Sequence, residues 1–123
     1  MMMGDDMKQE WRDVIGYVAK VGGATFAELE NRFEWLGGGN QELILTGPNL
    51  LMWTGLSAEG VAFYMDRGVR DQLEPSACSW LLYADDGKML RMPIAKRPPK
   101  GGYKKQRWVP TMLSVRDGMT DAK

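Results

Sequence analysis

Between Lys88 and Trp108 the chain carries eight lysines and arginines and no acid. Six of them, Lys96, Arg97, Lys100, Lys104, Lys105 and Arg107, are interleaved with Gly101-Gly102, Tyr103 and Trp108. Cations at this density neutralise phosphates and release the counterions condensed on a nucleic acid, whatever its base sequence. Glycines let a backbone follow a groove, and Tyr103 and Trp108 offer ring faces for the bases of a single strand. Lys88 and Arg91 extend the same run, and Arg67 and Arg70 precede it. The plainer alternative is a solvated loop with Trp108 anchored in the core.

Other chemistries find little support. The absence of histidine removes Ser-His and Cys-His catalysis and the usual zinc sites. Cys78, the single cysteine, cannot form an intrachain disulfide and fits a reducing compartment. Beside Trp80 and Leu81 it reads as a small buried residue rather than a nucleophile. Asp85-Asp86 stands next to Gly87 and reads as a turn, not an acid/base pair or a metal site. Ser57 has no visible base and serves better as a helix cap. Gly37-Gly38-Gly39-Asn40 lacks the Lys-Ser/Thr of a phosphate loop. The expectation is a protein with no catalytic residue, no metal and no cofactor, and not an enzyme.

At 123 residues the chain is expected to form one domain able to bury a core without staples. Net charge is zero, but residues 1–86 balance at minus eight and residues 87–123 at plus eight. Such asymmetry suggests an acidic or nucleic-acid partner for the basic end, or neutralisation of one end by the other within the fold or across a dimer. No apolar run approaches the roughly 20 residues that span a bilayer. Residues 1–7 carry Asp5 and Asp6 without a basic flank or apolar core, unlike a signal peptide, so a cytoplasmic location is expected.

Several elements must position the basic segment. After a frayed lead-in over residues 1–9, Trp11, Val14, Ile15 and Val18 form one apolar stripe of a helix over residues 10–21. Thr25 and Glu28 have the spacing of a capping box, opening a second helix buried through Phe26, Leu29, Phe33 and Leu36, with Glu28, Glu30 and Glu34 facing water. Residues 42–45 suggest a short strand. Thr46 and Pro48 then open a helix over residues 48–53. Equally, residues 43–45 and 50–53 make the arms of a hairpin turning at Gly47-Pro48-Asn49, and the apolar run is too short for periodicity to decide.

Ser57 caps a helix over residues 57–67, which Gly68 closes. At 100° per residue, Ala58, Val61, Ala62 and Met65 face inward, and Glu59, Phe63, Asp66 and Arg67 outward. Exposed there, Phe63 would suit a protein-binding surface. Residues 69–73 suggest a strand stopped by Pro75. Residues 79–84 and 88–94 alternate about Asp85-Asp86-Gly87 as a hairpin. Residues 109–115 add an edge strand, and the last residues are loose. The five tryptophans read as core or interface anchors.

Thr54-Gly55-Leu56-Ser57, followed by Val61, Tyr64 and Gly68, resembles the helix-turn-helix of the winged-helix superfamily, with Gly55 as the turn glycine. It departs at Leu51, where such motifs prefer a small residue. The resemblance covers about 20 residues and implies an α+β, winged-helix-like fold whose wing is the 79–94 hairpin. It implies a small regulator or accessory factor binding nucleic acid, duplex DNA favoured, with the helix over residues 57–67 near the major groove. Arg67, Arg70, Lys88, Arg91, Lys96, Arg97, Lys100, Tyr103, Lys104, Lys105 and Arg107 would make the contacts. A homodimer through Trp11 and the first helix is the expected assembly. The competing expectation is a protein-interaction module, or an inhibitor of a larger assembly, acting through Phe63 and the acidic half.

Overall fold

In a computed structural model, residues 7–97 and 99–116 are described. The lead-in residues 1–6, the tail residues 117–123 and Pro98 lie outside them. Helix α1, Gln9–Val21, forms on the expected stripe, with Val14 and Val18 fully buried and Trp11 and Ile15 packed beside them. Strand β1, Ala24–Thr25, leads into α2, Phe26–Arg32, whose first turn is held by the Thr25 hydroxyl accepting from the Glu28 N–H at 3.0 Å. A 3-10 turn, Glu34–Leu36, carries the buried Leu36.

The segment expected to begin a helix-turn-helix is a hairpin. Strands β2, Gln41–Leu45, and β3, Leu50–Leu56, pair antiparallel around a turn in which Asn49 takes φ 61°. The helix over residues 48–53 is therefore corrected to strand. Leu50, Leu51, Trp53 and Leu56 are all buried, as suits a central strand covered on both faces. Gly55 has the expected positive φ, 78°, but not at a helical turn. Gln41 pairs with Leu56 and Glu42 with Thr54, leaving Gly55 as the extra residue of a β-bulge, where a left-handed glycine is the common solution.

Helix α3, Ala58–Met65, starts as expected: the Ser57 hydroxyl accepts from the Gly60 N–H at 2.8 Å and donates to the Trp35 carbonyl at 2.6 Å. Its inward face is not the expected one. Phe63 is fully buried and Tyr64 nearly so, whereas Met65, Ala58 and Ala62 are exposed. Burying a phenyl ring removes far more apolar area from water than burying two alanine methyls, so Phe63 sets the rotation. It sits edge-on to Trp11, Trp35 and Tyr64 at centroid separations of 5.6, 5.9 and 5.1 Å.

Asp66 ends α3 and caps α4, Arg67–Gln72, by accepting from the Val69 N–H. Gly68 thus lies inside a helix, and the strand expected over residues 69–73 is helical up to Gln72. Strand β4, Leu73–Ala77, follows and includes Pro75, tolerated because β4 is an outer strand. The strand expected over residues 79–84 is helix α5, Trp80–Asp85. Ser79 caps it, and at its end the Gly87 and Lys88 N–H groups donate to the Ala84 and Tyr83 carbonyls, a Schellman closure. Asp85-Asp86-Gly87 is therefore a helix terminus and not a hairpin turn. Trp80, expected as an anchor, is exposed.

No wing forms among the described residues. The described residues between 88 and 106 are irregular apart from one bridge of Ile94 to Trp108. Strand β5, Arg107–Trp108, pairs parallel to β3, and β6, Thr111–Val115, is the central strand of the other sheet rather than an edge. Among the described residues the result is α+β: five helices and two three-stranded sheets, ordered β1-β6-β4 (sheet 1) and β2-β3-β5 (sheet 2). The shared core holds Phe26, Trp53, Tyr83 and Trp108 in contact, with the Tyr83 and Trp108 ring centroids 5.1 Å apart.

Candidate nucleic-acid interface

Trp108, fully buried, is the anchor from which the basic segment projects. Its backbone is tied on both sides: the Ala95 N–H donates to the Trp108 carbonyl at 2.8 Å and the Trp108 N–H to the Pro93 carbonyl at 3.0 Å. The segment between folds back onto the β2–β3 turn. The Tyr103 N–H donates to the Pro48 carbonyl at 3.1 Å and the Arg107 N–H to the Asn49 carbonyl at 3.3 Å. The Asn49 amide nitrogen donates to the Tyr103 carbonyl at 3.0 Å. Gly102 takes φ 89° and passes so close to the turn that a Cβ would lie 2.7 Å from the Gly47 oxygen. Only glycine meets both demands.

Tyr103 staples this lobe across its width. Its hydroxyl accepts from the Lys96 N–H at 2.9 Å, and the Arg107 guanidinium lies 4.7 Å from its ring centroid, a cation–π contact. Lys96, Arg97, Lys100, Lys104 and Lys105 are exposed and Arg107 half-buried. Among the described residues none of these six makes an ion pair; the three pairs present are Lys8–Glu59, Lys88–Glu30 and Arg116–Glu74. The basic lobe is thus not folded onto any acid among the described residues.

The remaining expected site residues separate from it. Lys88 serves the fold: its Nζ lies 3.0 Å from Glu30, whose other oxygen accepts from the Trp53 indole N–H at 2.7 Å. Glu30, expected to face water, is largely buried by this pairing. Arg91 is exposed and unpaired among the described residues. Arg67 and Arg70 belong to α4, which packs at the end of β6 opposite the entry from the lobe, where Arg116 Nε donates to the Arg70 carbonyl at 2.7 Å. Phe63 is buried and offers no docking surface. Trp11, the proposed dimer anchor, covers Phe63 and donates its indole N–H to Glu59 at 3.1 Å.

Cys78 is half-buried, and burial pushes its thiol pKa up, which disfavours the reactive thiolate. Among the described residues no cluster of acids and cysteine is placed to hold a metal, and no helix is long and apolar enough to cross a membrane. What the sequence did not mark is a groove between the two sheets, lined by β2, β4 and β6. Its only local signal was Ile44-Leu45 on a short strand. No family model, no curated protein and no solved structure matches this chain.

Proposed function

We propose that the protein binds nucleic acid through its phosphate backbone, using the lobe from Lys96 to Arg107, and serves as a small regulator or accessory factor. The observation that carries this reading is the set of six cations on one stapled lobe, none in an ion pair among the described residues. A lobe held in one shape presents its charges without the entropic cost of ordering a free arm. Duplex DNA is favoured over a single strand: Trp108 is buried, and Tyr103 has one face under Arg107 and its hydroxyl engaged, which leaves at most one ring face for a base. With residues 48–53 a strand and no wing formed, the reading does not rest on winged-helix docking. Arg67 and Arg70 are not needed for it, and base readout is not part of it.

The test is fluorescence anisotropy on duplex and single-stranded probes of mixed sequence at several salt concentrations. Engaging about four phosphates gives a log–log slope near −0.9 per contact, on the order of a hundredfold in affinity across a fourfold rise in salt. Lys104→Glu with Lys105→Glu weakens binding to all sequences alike and flattens the slope, with an unchanged melting temperature because both side chains are exposed. Absence of binding to either probe at low salt overturns the proposal.

A further inference from the structure

A groove of about 740 Å³ opens between the two sheets. Successive side chains of a strand point to opposite faces, so a cavity above one face meets alternate residues. This groove meets Glu42, Leu43, Ile44 and Leu45 in succession on β2, and Pro75, Ser76 and Ala77 in succession on β4. Even with the register shift between Leu43 and Ile44, the four β2 residues span both faces. Along β2 and β4, the outer strands of sheets 2 and 1, the groove therefore runs past strand edges, while Thr111 and Leu113, alternate residues of β6, and Met52 of β3 form its floor.

The two edges are not equally open. Pro75 removes a backbone donor from β4. Strand β2 has no proline and no lysine, the usual protections of an outer strand. Instead it leaves Ile44 and Leu45 40% and 44% exposed, facing Met65 at 56%. At the rim stands Arg70, with no ion pair among the described residues, while Arg116 beside it is engaged by Glu74. Among the described residues Glu42 is the one acid lining the groove.

We propose that this groove takes an extended peptide segment of a partner protein. The segment adds as a strand to the free edge of β2, seats apolar side chains from its two faces against Ile44, Leu45 and Met65, and lays an acidic residue on Arg70. Main-chain hydrogen bonds supply affinity, and the apolar lining with its rim cation supplies selection. A second copy of this chain, pairing edge to edge through its own β2, is the competing occupant, and the experiment separates the two.

A displayed library of random dodecapeptides, selected on the full chain, tests this. The selected peptides carry a short run of apolar residues with Asp or Glu at one end. Ile44→Lys with Leu45→Lys, both exposed and checked by circular dichroism for an intact fold, weakens a selected peptide by about tenfold or more. Arg70→Glu shifts preference from that peptide to its Asp→Lys counterpart by about three- to tenfold. N-methylation of alternate peptide amides abolishes binding in one register only. Lys104→Glu with Lys105→Glu leaves peptide affinity unchanged, which separates this site from the basic lobe. The proposal is overturned if no peptide is enriched over an unrelated control chain, or if the Ile44/Leu45 variant binds like the parent. It is equally overturned if the chain sediments as a dimer that this variant dissociates, which would give the groove to a second copy.

Discussion

The basic lobe and the inter-sheet groove are built by opposite means. The lobe has almost no apolar interior; backbone bonds to the β2–β3 turn and the Tyr103 staple give it its shape. The groove is walled by strands of both sheets and by α3, all fixed by the core. Charge left unpaired marks the first surface, and apolar area left uncovered marks the second. A loop with hydrogen bonds to a remote turn can thus be as specific in shape as a packed wall, while depending on far fewer residues.

That comparison can be broken most severely at the lobe's root. Trp108→Ala, at a fully buried ring, is expected to cost about 3–5 kcal/mol by chemical denaturation, whereas Leu45→Ala at the groove rim stays within about 0.5 kcal/mol. Gly102→Val comes next, at roughly 1–3 kcal/mol, because a side chain at φ 89° is strained and also strikes the Gly47–Pro48 backbone. Its signature is faster amide exchange at Tyr103 and Arg107, with α1 unaffected.

Two buried tyrosines sharpen the same contrast. Tyr83 lies in the core from which the lobe projects, donating to the Thr111 carbonyl at 2.5 Å and accepting from the Phe26 N–H at 3.2 Å. Tyr64 lines the groove, and its buried hydroxyl has no partner among the described residues. Tyr83→Phe should therefore lose about 1–3 kcal/mol, leaving the Phe26 N–H and the Thr111 carbonyl unpaired, and Tyr64→Phe should be neutral or gain up to about 1 kcal/mol.

The last contrast is in pH. Burial raises both phenol pKa values, Tyr64 well above the ordinary 10.0. The folded state thus holds protons that the unfolded chain releases near about pH 10. Stability is fully present below that value and falls as pH rises above it. Melting temperature recorded from about pH 9 to 11 should decline less steeply in the double Phe variant than in the parent.

Local features were legible in the sequence where a side chain bonds to a nearby backbone group or repeats on one face. The Thr25 and Ser57 caps and the Val14–Val18 stripe are of this kind, and Trp108 is the large apolar residue of a polar stretch. Residues 80–83 misled because Trp80, Leu81 and Leu82 alternate like a strand, yet all three are exposed and Tyr83 alone is buried. The Ser79 cap and the closure at Gly87 decide that segment. The cationic character of the lobe was plain, but its shape depends on Asn49, a residue more than fifty positions from Tyr103 and Lys104 that no local pattern connects to them. The groove depends on which strands end a sheet, a property of topology alone.

Strand order also bears on how the chain must be made. Among the described residues neither β1 nor β4 has a neighbour in sheet 1 except β6, and in sheet 2 the inner strand β3 stays bare on one side until β5 arrives. Both missing pieces lie between Arg107 and Val115. A nascent chain that has emerged only as far as Lys105 holds the β2–β3 hairpin and its helices but no part of sheet 1, with the apolar edge at Leu50-Leu51 uncovered. Non-local pairing of this kind forms late because loop closure precedes its reward. Folding should therefore be a single event triggered by the last strands, and chains stopped just short of them should meet chaperones or one another instead of persisting as a partly folded domain.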